Sequence, residues 1–261
     1  MNSRYDPQLP VYFLHIPKTA GVSINAMLAG AFRHDEICPV GHWDDIARIP
    51  ADQIVKYRVF TGHYSAYLSR FLGKKLNVFT FFRDPLERTL SLYGYIRQSK
   101  AHPINEAART RTLREFILDP ATRSRVLNFQ ARCIADLGFN PREIAQGFAD
   151  RDPTRYEFQV HFDDQSASVS SSAIRDAALR ALDSFFFVGR TENLNEASQT
   201  LSDLMGVRFN SPGRQNVTEE RISREELDAE TLAAIHEATT IDREIYEMVK
   251  SREDSLRVVR A

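Results

Sequence analysis

The segment His15-Ile-Pro-Lys-Thr-Ala-Gly-Val-Ser23 carries the densest chemistry in the chain. An apolar run stops at Pro17, a short turn holds Lys18, Thr19, Ala20 and Gly21, and a helical pattern begins near Val22. N–H groups at a helix start are unpaired and carry the positive end of the helix dipole, so such a turn can cradle a phosphate. Lys18 adds a full charge, Thr19 and Ser23 add hydroxyl donors, and Gly21 lets the backbone approach closely. The same residues would also suit an ordinary strand–helix turn with a capping threonine. They do not form a nucleotide P-loop, which needs G-x-x-x-x-G-K-[ST]. Here the lysine precedes the glycine, and Gly73-Lys74-Lys75 lacks the earlier glycine and the hydroxyl.

A second constellation runs from Val78 to Tyr93. A buried-looking run delivers Arg83 at its end, Asp84 is placed to cap a helix, and Pro85 suits the first helical position. Ser91 follows Arg83 by eight residues, about two helical turns. A guanidinium fork and a hydroxyl so placed can converge on one phosphate. The competing reading is an Arg–Asp ion pair that ties a strand to a helix. Between the two segments lies Gly62-His63-Tyr64, whose imidazole suits a general base near neutral pH, or simply a loop hydrogen bond. His15 lies inside an apolar run and reads as a core or supporting imidazole. His34, His42, His102, His161 and His236 show no metal-ligand spacing, and no metal site is expected.

Four runs rich in aromatic or β-branched residues read as strands buried on both faces: Val11–Ile16, Tyr57–Thr61, Leu76–Phe82 and Ser184–Val188. Helical periodicity covers Gly21–Phe32, Pro85–Arg97, Arg111–Leu118, Arg123–Asp136, Ala173–Leu182 and Glu192–Met205. Tyr156–Phe162 alternates and reads as an edge strand or hairpin, and Ser166–Ser172 as a polar loop ending in a helix cap. The expected fold is α/β. It is a P-loop-like three-layer sandwich with a central, mainly parallel sheet flanked by helices, plus a helical C-terminal region. Residues 1–10 read as a flexible lead-in and 11–261 as one domain. Open sheets of this kind bind ligands outside the carboxyl ends of their strands, where both constellations fall.

The chain has 261 residues, 43% of them hydrophobic, enough for a core without disulfides or metals. Thirty-four Lys and Arg face 35 Asp and Glu, a formal charge of −1, which excludes a general appetite for nucleic acid. The neutrality hides polarity along the chain: residues 97–132 carry 8 basic against 3 acidic side chains, and residues 219–261 carry 7 against 12. The basic stretch is either a solvated face or part of a site for an acidic acceptor. Cys38 and Cys133 form no metal or redox motif. With no signal-like segment at Met1–Pro10 and no apolar run of spanning length, the expectation is a cytoplasmic protein without membrane insertion.

Taken together, Pro17-Lys-Thr-Ala-Gly-Val-Ser23 and Arg83-Asp-Pro-Leu-Glu-Arg-Thr-Leu-Ser91 resemble the cofactor motifs of sulfotransferases that use 3′-phosphoadenosine 5′-phosphosulfate (PAPS). Gly62-His63-Tyr64, Asn128-Phe-Gln130 with Arg132, and Phe187-Val-Gly-Arg-Thr-Glu192 resemble the branch of heparan sulfate 2-O- and uronyl sulfotransferases. The resemblance spans roughly residues 11–250 and thins between 140 and 175. It implies sulfuryl transfer without a metal to an acceptor hydroxyl, on a saccharide or glycoconjugate. His63 would be the base and Lys18 would stabilise the leaving phosphate. Pro17, Lys18, Thr19, Ala20, Gly21, Val22 and Ser23 would hold the 5′ end of the cofactor, and Arg83 and Ser91 its 3′-phosphate. Arg214 and Asn216 would close over the nucleotide, and Gln130 and Arg132 would contact the acceptor. Eukaryotic relatives are membrane-anchored, and this chain shows no anchor, which suggests a bacterial enzyme. The alternatives are a kinase-like phosphotransferase and a non-catalytic nucleotide binder on the same fold.

Overall fold

The computed structural model of the chain describes residues 4–140, 157–210 and 222–260. Four strands, β1 (Val11–Leu14), β2 (Val59–Gly62), β3 (Asn77–Phe82) and β4 (Phe187–Arg190), form one sheet in the order β2-β1-β3-β4. Every pairing is parallel, with Val11 opposite Val59 and Asn77, and Phe79 opposite Phe187. The expected α/β class, with a parallel sheet between helices, is what the chain adopts. No described helix is long and apolar enough to cross a membrane.

The unbroken apolar character of β1 has a direct cause. All four of its residues are buried, because successive side chains point to opposite faces and both faces are covered. Val11 and Phe13 join Phe79 and Phe81 beneath α1 (Gly21–Ala31) and α6 (Leu194–Met205). Tyr12 and Leu14 join a larger cluster on the other face. That cluster is built from α3 (Phe129–Ile134), α5 (Ser171–Ser184) and the long C-terminal α8 (Thr240–Arg260). A third cluster packs α2 (Pro85–Gln98) against helix Leu113–Leu118 and α7 (Ala229–Ala238). Both cysteines are buried and unpaired in disulfides.

Local signals read in the sequence act as expected at two helix starts. Asp84 accepts the Glu87 N–H at 3.0 Å with Pro85 following it, and Ser170 caps α5. Two expectations are corrected. Tyr156–Phe162 is not a strand: helix α4 occupies Glu157–Ala167 and buries Phe162, Asp163 and Ser166, a helical spacing that brief alternation obscured. Nor is Arg123–Asp136 one helix. Asn128 adopts a left-handed φ of 43° and its N–H donates to the Ala238 carbonyl, so α3 starts only after it. The lead-in is held to the sheet: Asp6 N–H donates to the Asn77 side chain, which donates back to the Asp6 and Leu9 carbonyls.

One buried polar group joins the C-terminal helix to the sheet. Asp242 of α8 is fully buried and accepts the Gln130 and Ala131 N–H groups at 3.1 and 2.8 Å, capping α3 from a distant part of the chain. Burial pushes its carboxyl up to about 6, against the pull of those N–H groups and of Arg88 and Arg132. Replacing Asp242 with Ala strands two helix N–H groups and removes a negative charge that acts on the buried Arg88 and Arg132. The expected loss is about 3 kcal/mol or more by urea denaturation at pH 7. With its folded-state pKa raised, the group's contribution is full below about pH 4 and is lost as pH rises through about 6. The stability advantage of the wild type over Asp242→Asn should therefore shrink from pH 4 to pH 7.

Candidate active site

The loop after β1 is strained in a way its composition does not require. Lys18 and Ala20 both hold left-handed φ values, 73° and 64°, although neither is glycine. Each costs on the order of 1 kcal/mol, and such strain persists where the surroundings impose it and function uses it. Ala20 opens α1 and makes no side-chain cap bond to its first turn. Thr19, expected to offer its hydroxyl outward, is fully buried and donates it to the Ile16 carbonyl at 2.8 Å, so it braces the turn. Val22 is exposed and Ser23 buried.

Three cations gather on this loop. Arg83, at the end of β3, donates to the Lys18 carbonyl at 3.3 Å. Arg88, one turn into α2, is wholly buried and donates to the Pro17 carbonyl at 3.2 Å while its guanidinium lies 4.1 Å over the Phe129 ring. Its Nη2 finds no partner among the described residues. Lys18 Nζ rests 4.5 Å over the Tyr95 ring. Burial, with Arg83 and Arg88 adding repulsion, brings Lys18 down to about 8. Ser91 lies three residues after Arg88 and four before Tyr95, so it shares their stripe of α2. Crowded cations, an unpaired buried N–H group and an uncapped helix start together fit a polyanion bearing phosphates.

Beside this cradle stand three imidazoles. His63 follows β2, and its Nδ1 lies 2.8 Å from the His15 carbonyl. A carbonyl only accepts, so Nδ1 carries the proton and the neutral ring keeps its lone pair on Nε2. The His15 and His63 rings lie 4.4 Å apart, and those of His63 and His42 lie 5.0 Å apart. Burial first, then His63, His42 and Lys18, hold His15 well below the ordinary imidazole range. The site thus sets an imidazole whose Nδ1 is committed to a carbonyl beside a cationic cradle. No group of described His, Cys, Asp or Glu is arranged to hold a metal ion.

A family model for the sulfotransferase family matches residues 1–258. The chain belongs to the sulfotransferase family. No curated protein matches it. Within this sulfotransferase, the residues expected to touch the acceptor are instead interior. Gln130 is fully buried, and its side-chain amide accepts the Arg83 N–H at 3.0 Å and donates to the Arg83 carbonyl at 2.9 Å. Arg132 is 1% exposed and donates to the Leu127, Asp163 and Ser124 carbonyls. Both position the framework, because neither presents a polar atom to a ligand.

Arg214 and Asn216 lie outside the described residues. Three of the eight basic residues of the 97–132 stretch are ion-paired: Arg111 with Asp119, Arg114 with Glu230 and Arg125 with Asp163. Sequence reasoning missed Arg88, Tyr95 and His42. Arg88 and Tyr95 were findable from their spacing with Ser91, whereas nothing in the sequence links His42 to His63.

Gly21 shows how tightly the site is packed. A Cβ there would lie 1.8 Å from His15 Nε2. Gly21→Ala must therefore displace the imidazole whose backbone carbonyl holds His63, at a cost of about 1–3 kcal/mol. In a His15→Ala background the clash is gone and the cost should vanish. Urea denaturation of the four proteins should give a coupling of about 1 kcal/mol or more.

Proposed function

We propose that this sulfotransferase takes PAPS as donor and moves its sulfuryl group to a hydroxyl of a saccharide or glycoconjugate, with His63 as general base. The observation that carries the reading is the donation of the Arg83 guanidinium to the Lys18 carbonyl, which joins the two motifs into one cationic site. When bound, PAPS supplies the sulfuryl group and a 3′-phosphate by which it is held. Arg83 and Ser91 grip that phosphate, while Lys18 and the amides of Pro17–Ser23 grip the 5′ end. Lys18 leaves the Tyr95 face to meet negative charge as it develops on the leaving oxygen. His63 Nε2 takes the acceptor's proton, and its committed Nδ1 keeps the ring aimed. Arg214 and Asn216 close the nucleotide side. The saccharide assignment rests on the resemblance of the His63 and Asn128–Arg132 segments to uronyl sulfotransferases.

Calorimetric titration with 3′-phosphoadenosine 5′-phosphate beside ADP tests the donor. The first ligand should bind at least about tenfold more tightly, a difference of about 1.4 kcal/mol. Equal binding, or a preference for ADP, would favour a phosphotransferase instead. Lys18 must be charged to bind, so affinity should fall as pH rises through about 8. Between pH 7 and pH 9 the loss should be about tenfold in wild type and absent in Lys18→Met. His63→Ala should lower turnover by about 10²–10⁴ and leave the affinity for 3′-phosphoadenosine 5′-phosphate unchanged. Transfer of labelled sulfate to oligosaccharides, compared with a tyrosine peptide, tests the acceptor class.

A further inference from the structure

We propose that His42 relays to solvent the proton that His63 takes from the acceptor; this rests on the reading of His63 as the base. In each turnover the acceptor O–H bond breaks and an O–S bond forms. The S–O bond to the leaving phosphate breaks, and its electron pair stays on the phosphate. The proton passes from the acceptor oxygen to His63 Nε2, then to a His42 nitrogen, then to water. One proton is released per sulfate transferred, and both rings return neutral.

Two imidazoles flank His63. Its Nδ1–H is committed to the His15 carbonyl. On one flank stands the His15 ring, stacked 5.3 Å from Phe13 and filling the space over Gly21. That ring is half-buried, and its burial and neighbours disfavour a charge on it. On the other flank stands His42, with ring centres 5.0 Å apart, close enough for a hydrogen bond made directly or through one water. The pair is held rigidly. His63 N–H donates to the Gly41 carbonyl, next to His42, at 2.8 Å. The two backbones touch so closely that a Cβ on Gly62 would lie 2.4 Å from the Gly41 oxygen. His42 also opens the short helix Trp43–Ile46, and Trp43 is buried edge-on against Tyr64 and Phe71. Such anchoring fixes two imidazoles from distant parts of the chain at one separation. Among the described residues, the charged or titratable groups near them include His15, Lys18, Tyr64, and Asp44 and Asp45 in His42's own helix.

The test uses His42→Ala and His42→Gln in the full-length enzyme at low buffer concentration. Both should lose turnover by about tenfold or more. In His42→Ala, added imidazole at fixed pH and ionic strength should restore it, because free imidazole can carry the proton. Affinity for 3′-phosphoadenosine 5′-phosphate, read by calorimetry, should stay within about twofold of wild type. NMR of the imidazole Cε1–H signals gives a readout independent of turnover. His63 and His42 should titrate as a coupled pair in wild type, and His63 in a single step in His42→Ala. If His63→Ala turns over normally, the base assignment itself fails. If His63→Ala is inactive while the His42 variants match wild type, or lose turnover that imidazole does not restore, the relay alone is overturned.

Discussion

The buried carboxylate of Asp242 is the constraint on which the rest of the site depends. It faces the guanidinium groups of Arg88 and Arg132 and caps α3 through two N–H groups. From that cap the connections run outward. Gln130, the second residue of α3, grips the backbone of Arg83 on both sides, and Arg83 reaches the Lys18 carbonyl. Arg88 holds the Pro17 carbonyl one residue earlier. A group near the C-terminus thereby sets the place of a loop near the N-terminus. The energetic logic is that of any buried ion network. Each member is costly alone, and removing one leaves the others uncompensated.

The motif Asn128-x-Gln130-x-Arg132 takes its meaning from the same network. Asn128 receives the Ile241 N–H at 2.8 Å and donates its own N–H to Ala238, so it pins the junction of α7 and α8. Gln130 fixes Arg83, and Arg132 gathers the carbonyls around α4. Gln130 and Arg132, read in the sequence as acceptor contacts, lie with Asn128 in the interior, where polar groups must satisfy one another.

Electrostatics explain why this framework is worth its cost. The cradle holds Lys18 near Arg83 and Arg88, and burial first, then their repulsion, lowers the Lys18 pKa. Folding alone would favour spreading these charges apart, and their convergence makes the local potential positive. The imidazoles follow the same rule with the opposite outcome. Burial and mutual repulsion keep His15 neutral. That leaves a neutral ring beside His63 at the edge of the cationic cradle.

The sequence by itself determined the local parts. The runs Val11–Ile16 and Leu76–Phe82, rich in aromatic and β-branched residues, fitted strands covered on both faces, and with helical stretches between them implied the parallel sheet. Lys18 and Arg83 fell at strand ends, where such sheets bind ligands. Asp84 and Ser170 announced their helices because capping is a short-range interaction. Where meaning depended on partners far along the chain, local pattern failed. Phe162, Asp163 and Ser166 are buried together by helix α4, although the brief alternation before them read as a strand. The burial of Gln130 and Arg132 and the meeting of His15, His42 and His63 were set by chain crossings. Hydrophobic period and capping act over a few residues, whereas burial and proximity belong to the tertiary fold, and there the roles of these polar residues were decided.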